Sequence, residues 1–283
     1  MSGIDLHVHS TASDGKLSPQ AVVEKAAALG LKYIAISDHD TVDGVVPALQ
    51  AAKTFPELKV IPAVEISTDT SEGQAHVLGY FMDYTSTELT AALDRFRNSR
   101  LRRARGMIVR LSEMGMDIEW RRVQEIAGDG SVGRPHIAQA MLEKKYIKSF
   151  AEAFDKYIGY GCPAYVERDK MTPMEAVELI TRSRGLPVLA HPNTVADPEK
   201  LVINLKAAGL VGIEVYYKDY SAREIEGLVE MAKCYNLIAT GGTDYHGIDD
   251  ETEVMIGSVD VPAESVERLK ALASDPSLKL AYF

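Results

Sequence analysis

Short apolar runs alternate with helical patterns through the first third of the chain. Residues 4–8 read as a strand. Ser18-Pro19 then supplies an N-cap and a proline at the first helical position, and Gly30 closes that helix. Residues 33–37 form the next strand, followed by a helix over about 42–53; residues 60–66 and 76–82 read as strands three and four. Strands separated by helices predict crossover connections and a parallel sheet. From 86 to 160 the pattern breaks into successive helices with no convincing strand. It resumes at 186–190, 212–216 and 237–240, each beside a helical segment. The expected architecture is therefore seven core strands from 1–85 and 161–283, interrupted after the fourth by a helical insertion over 86–160.

At 283 residues the chain can bury one large core, or a core and a small subdomain. No apolar run approaches the roughly 20 residues needed to cross a bilayer. The start, Met-Ser-Gly-Ile-Asp-Leu-His, shows no secretory signal. Cys162 and Cys234 lie far apart and form no CxxC pair, which suits a reducing cytoplasm. Cytoplasm is the expected location, with no membrane association. The net charge of −10 opposes binding to duplex DNA, whose affinity comes from phosphate contacts. A small anionic substrate stays open, because bound divalent cations would reverse the sign locally. Oligomeric state is not legible.

The chemistry gathers in the histidines. His7 and His9 make an H-x-H at the end of strand one, with Asp14 beyond; His39 follows strand two in Ser-Asp-His-Asp. Glu65 ends strand three, His76 starts strand four, and His191 ends strand five. Asp244 and His246 follow strand seven, and only His136 lies in the insertion. Strand ends of a parallel barrel share one face, where its loops build the site. Side chains alternate along a strand, so both rings of the H-x-H point the same way. Imidazole mixed with carboxylate suits zinc, manganese or iron. Taken singly, each residue has a plain reading. A lone histidine is more often a hydrogen-bonded loop or core residue, Asp40 and Asp43 read as caps of the next helix, and Glu65 as a surface carboxylate. Their joint placement at strand ends argues instead for one shared metal site.

The ordered segments D-L-H-V-H-S, S-D-H-D-T, P-A-V-E-I, A-H-V-L-G-Y, L-A-H-P and T-D-Y-H span nearly the whole chain. They resemble the motifs of the polymerase-and-histidinol-phosphatase (PHP) domain phosphoesterases. The resemblance implies a distorted (β/α)7 TIM-like barrel with a small helical insertion domain. It also implies two to three divalent ions, manganese, iron or zinc. His7, His9, Glu65 and Asp244 would hold one, and Glu65, His76 and His191 a second, with Glu65 bridging. Asp14, His39 and His246 would hold the third. All nine positions carry ligand-type residues.

Within the insertion, residues 131–136, Ser-Val-Gly-Arg-Pro-His, resemble the segment by which nucleotide-cleaving members of the family approach the substrate phosphate. The resemblance assigns substrate binding to Ser131, Gly133, Arg134 and His136. Arg134 would be a planar two-pronged donor, and Gly133 would let the backbone come close. Asn193, just after His191, could reach a base or ribose. On the residues alone, Arg134-Pro135 merely starts a helix and His136 is exposed. The arginine run from Arg95 to Arg105 reads as a solvated helix face ahead of a binding patch. Trp120 reads as core ahead of a stacking platform. Any of Tyr160, Tyr165, Tyr216 and Tyr217 could stack on a base. The expected activity is hydrolysis of nucleoside monophosphates or 3′,5′-bisphosphates by a water bridging the metals. The alternatives are a 5′-to-3′ exonuclease on short oligonucleotides, a histidinol-phosphate phosphatase, and a non-catalytic metal-binding regulatory module.

Overall fold

Seven strands, β1 (Ile4–Val8), β2 (Tyr33–Ile36), β3 (Lys59–Thr70), β4 (Gly73–Tyr80), β5 (Leu186–Leu189), β6 (Gly212–Tyr217) and β7 (Ile238–Gly242), lie side by side in sequence order in a computed structural model of the chain. The structure describes residues 3–70, 73–128, 132–167, 171–248 and 253–275. Beyond the last strand, Val8 forms a parallel bridge with Tyr245, and His9 N donates to Tyr245 O at 2.9 Å. These contacts bring the two edges together, and the sheet is a nearly closed, distorted barrel. It carries the helices α1 (Pro19–Ala28), α2 (Val45–Ala52), α7 (Pro173–Arg182), α8 (Pro198–Ala207), α9 (Ala222–Cys234) and α10 (Ala263–Ser274).

Local signals explain several boundaries. Ser18 Oγ accepts from Ala21 N at the start of α1, with Pro19 in its first turn, and Gly30 follows the helix at φ +76°. Asp40 and Asp43 do not cap α2, contrary to the sequence reading. Its N-cap is Gly44, without a side-chain bond, and Asp40 Oδ1 instead accepts from Ser67 N at 2.8 Å. The Gly241-Gly242 pair is required by close approach. A Cβ on Gly242 would sit 2.5 Å from His7 N, and one on Gly241 2.3 Å from Tyr216 O.

The sheet is not parallel throughout, and this corrects the crossover expectation. β4 runs antiparallel to both β3 and β5. β3 and β4 form a hairpin, with Thr70 paired to Gly73, so no crossover intervenes. β3 also extends to Thr70, which places Glu65 in mid-strand, not at its end. The reversal has a consequence for the site. The early part of an antiparallel strand lies at the barrel end where its parallel neighbours finish, so His76 faces Ser67 near the end of β3.

Two compact units make up the chain, Met1–Ala92 with Met171–Phe283, and Leu93–Lys170. The second contains most of α3 (Thr87–Glu113), together with α4 (Trp120–Ala127), α5 (Arg134–Glu143), α6 (Phe150–Ala153) and a π turn over Phe154–Ile158. Among its described residues there is no strand. Its own core is built on Met107, Leu111, Ile137, Met141 and Ile158, all fully buried. No described helix is long and apolar enough to cross a membrane. Both cysteines are free.

Candidate metal centre

His7 and His9, on either side of Val8 at the end of β1, both reach Glu65, and with Asp5 they are fully buried. Asp5 is a buried brace. It accepts from Thr243 N at 3.0 Å, from Thr243 Oγ1 at 2.6 Å and from Gly257 N at 2.8 Å. Those bonds pin the loop that carries Asp244 and His246 against β1.

Glu65 lies at the centre, fully buried. Its Oε2 is 3.2 Å from His7 Nε2, 3.2 Å from His9 Nε2 and 3.1 Å from His39 Nδ1. Its Oε1 is 2.8 Å from His76 Nδ1 and 3.1 Å from His191 Nε2. Asp244 Oδ1 lies 3.0 Å from His9 Nε2 and 3.4 Å from His7 Nε2. Asp14 completes the outer side, 3.4 Å from His246 Nε2 and 3.9 Å from His39 Nε2. Three sets have donor atoms within 4.8 Å of one another: His7, His9, Glu65 and Asp244; His9, Asp14, His39 and His246; and His39, Glu65 and His76. His191 stands beside the last set through its contact with Glu65 Oε1. The structure thus brings all nine sequence-derived candidates to one place. Three of them or their neighbours adopt left-handed backbone, at Asp40 (φ 51°), His191 (φ 25°) and Asp244 (φ 48°). Such conformations persist only where the surroundings hold them.

This donor set fits divalent cations on a direct observation. His7 Nε2, both ring nitrogens of His9 and Glu65 Oε2 are buried without a hydrogen-bond partner. His7 Nδ1 donates to Glu214 Oε1 at 2.9 Å, so the neutral ring points the lone pair of Nε2 at a carboxylate oxygen. Two acceptors facing each other in a buried site need a cation between them. In the chain without metal, protons take that part. Burial would lower His9, but Asp244 and Glu65 outweigh it and raise its pKa from 6.5 to about 10. Burial likewise opposes ionisation of Glu65 and Asp244, yet the neighbouring imidazoles hold both well below the usual carboxylate range. His39 goes the other way, pushed by burial to about 4.

The sequence reading missed the groups that hold these side chains. Glu214, fully buried in β6, bonds His7 and also accepts from His191 N at 2.8 Å. Its signal was a lone carboxylate inside the apolar strand Gly-Ile-Glu-Val-Tyr-Tyr. Tyr217 Oη donates to Asp244 Oδ2 at 2.8 Å, and Lys218 Nζ donates to Asp244 O at 2.9 Å. Asp38 accepts from Ser10 N, Ser10 Oγ and Ser13 Oγ, fixing the turn after His9. Asn193 is exposed in the turn Pro192–Thr194, and its N–H donates to Tyr220 Oη at 3.0 Å.

In the second unit, Arg134 opens α5 with its guanidinium over the Phe154 ring at 5.4 Å. Gly133 N donates to His136 Nδ1 at 3.0 Å, which leaves the proton of the neutral ring on Nε2. Gly133 itself is extended at φ −129°, a conformation open to any residue, and a Cβ there would meet only Pro135 Cδ at 3.4 Å. Ser131 lies outside the described residues. Trp120 is half-buried against the insertion core.

Comparison with known proteins agrees with this architecture. Residues 5–181 match the PHP domain family. A 5′-3′ exoribonuclease of Haemophilus influenzae is 33% identical over 246 residues, covering 86% of this chain and 89% of its own. A 3′,5′-nucleoside bisphosphate phosphatase of Chromobacterium violaceum is 31% identical over 258 residues, covering 87% and 88%. The crystal structure of an inferred metal-dependent phosphoesterase from Bifidobacterium adolescentis superposes with a TM-score of 0.83 at 27% identity, covering 96% of each chain. With matches along most of its length and the family's motifs meeting at one barrel end, the chain belongs to the PHP domain family.

Proposed function

We propose that the chain is a metal-dependent hydrolase that removes phosphate from small nucleotides, a nucleoside monophosphate or a 3′,5′-bisphosphate. The observation that carries the reading is Glu65, one buried carboxylate shared among five imidazoles, His7, His9, His39, His76 and His191. A single carboxylate so surrounded is suited to bridge two cations. His7, His9, Glu65 and Asp244 would hold one ion, Glu65, His76 and His191 another, and Asp14, His39 and His246 a third. The mixture of imidazole and carboxylate favours manganese, iron or zinc over calcium. Divalent ions held there acidify water at neutral pH and neutralise the charge on a phosphoryl group.

The chain's own residues supply orientation. Glu214 holds His7 in one tautomer and so keeps Nε2 turned to Glu65. Tyr217 takes up Asp244 Oδ2 and leaves Oδ1 for His7 and His9. Arg134 is suited to fork onto a phosphate, and His136 to offer its Nε2 proton beside it. The similarity to a nucleoside bisphosphate phosphatase supports the substrate class. The similarity to an exoribonuclease supports a second reading, successive release of nucleotides from short oligonucleotides.

A phosphate-release screen with manganese tests both. AMP, a 3′,5′-bisphosphate, a 5′-phosphorylated pentanucleotide and histidinol phosphate would be compared. Release from the first two is expected; hydrolysis of histidinol phosphate alone would overturn the nucleotide reading.

A further inference from the structure

The segment that brings Asp244 and His246 to the metal centre is bent twice out of ordinary backbone. Asp244 sits at φ 48° and Gly247 at φ 69°, so a left-handed residue stands on each side of Tyr245-His246. Gly247 adopts that shape without strain, whereas an aspartate there costs energy that surrounding bonds must offset. Main-chain bonds supply part of the hold. Lys16 N donates to His246 O at 2.7 Å, and His9 N donates to Tyr245 O at 2.9 Å.

A carboxylate from further along the chain closes the segment. Glu253 Oε1 accepts from His246 N, and Glu253 Oε2 accepts from Ile248 N at 2.7 Å. Each oxygen takes one main-chain N–H, so the ionised group spans the two residues that flank Gly247. Such charge-assisted bonds are about twice as strong as neutral ones. Glu253 is half-buried and belongs to none of the three donor sets, so it reaches the centre through His246.

The same frame sets the His246 ring. Its Nδ1 donates to Asp244 O at 3.0 Å, which leaves the lone pair on Nε2, 3.4 Å from Asp14 Oδ1. His246 shares its donor set with His9, Asp14 and His39, and this set is the open one: Asp14 is exposed, whereas His7 and Glu65 are buried. His7, Glu65 and His76 are carried by strands of the barrel. His246 lies beyond the last strand, so the bonds of its own loop must place it. Asp244 has separate supports, with Tyr217 Oη on its Oδ2 and Lys218 Nζ on its carbonyl.

We infer that Glu253 is the positioning residue of the third cation site. By clamping the main chain at His246 and Ile248 it holds His246 Nε2 toward Asp14 and so sets how tightly that ion is bound. The inference deepens the metal-dependent reading above and rests on its three-ion assignment.

The test is titration calorimetry of the chelator-stripped full chain with manganese alone, on wild type, Glu253→Ala and Glu253→Gln. Wild type should take up three equivalents. In Glu253→Ala one equivalent should bind about 10- to 100-fold more weakly, the usual effect of losing a group behind a ligand, and the other two as in wild type. Glu253→Gln keeps a single accepting oxygen for the two N–H groups and should fall between. Elemental analysis after dialysis should count about two ions in Glu253→Ala. Three equivalents at wild-type affinity in Glu253→Ala would overturn the clamp and leave the three-ion assignment standing. Equal weakening of all three ions in both variants would overturn it as well, since Glu253 would then support the fold as a whole. A wild type that saturates at two ions would overturn the three-ion assignment and this inference with it.

Discussion

Glu214 accepts a 2.9 Å hydrogen bond from His7 Nδ1 inside the barrel, on the far side of the ring from Glu65. A carboxylate behind a metal-facing histidine fixes its tautomer and raises its basicity, and losing such a partner typically lowers metal affinity 10- to 100-fold. Glu214→Gln keeps the shape and removes the charge. Manganese affinity by titration calorimetry should fall by about that factor, with the circular dichroism spectrum unchanged. An affinity equal to wild type would show that Glu214 only fills space.

Glu65→Ala should cost more activity than any other single change among the nine groups. Its two oxygens face different partners, Oε2 toward His7, His9 and His39, and Oε1 toward His76 and His191. Elemental analysis should show the bound metal falling by more than one equivalent. His39→Ala and His246→Ala should each lose about one. Equal stoichiometry in Glu65→Ala and wild type would remove the bridging role.

Arg134→Ala deletes a charge-assisted contact worth roughly 1.5–3 kcal/mol if its guanidinium holds the substrate phosphate. The expected loss in kcat/KM on AMP is about 10- to 150-fold. Arg134→Lys should recover part of it, since it keeps the charge and loses the fork. Metal content should not move. Wild-type kcat/KM in Arg134→Ala on every accepted nucleotide would take the phosphate away from the insertion.

Metal uptake should release protons. Burial lowers His9, but Asp244 and Glu65 lift it from 6.5 to about 10 in the metal-free fold. A raised pKa means the fold binds this proton more tightly than the unfolded chain does. The resulting stability is complete below about 6.5, and disappears as pH rises through about 10. A cation must displace that proton. Manganese affinity should therefore weaken about tenfold per pH unit for each proton displaced as pH falls from 9 to 7. Calorimetric heats at pH 8 should differ between buffers of different ionisation enthalpy. Identical heats in all buffers would mean His9 is already neutral. Activity at limiting manganese should fall together with that affinity as pH drops.

Much of the site was legible because its logic is local. The H-x-H of His7 and His9 faces one way through strand parity alone, and Asp14, His39, His191, Asp244 and His246 fall just past strands whose apolar runs are plain in the sequence. The cap of α1 was equally local, a Ser18 hydroxyl three residues from its donor. The α2 start was not, because Asp40 is drawn away from its own helix to Ser67 on β3.

What the sequence alone determined is the alternation of strands and helices, the interrupting helical segment and the residue types able to hold metal. Direction and mutual support came only from the tertiary structure. Nothing in residues 73–80 says that β4 runs antiparallel, since parity is the same either way; pairing with β3 and β5 decides it and swings His76 to the site. Glu214 and Asp5 look like isolated acids in apolar strands. They become braces only when the barrel curls β6 and β7 beside β1, because hydrogen bonds spanning more than 200 residues leave no trace in local pattern.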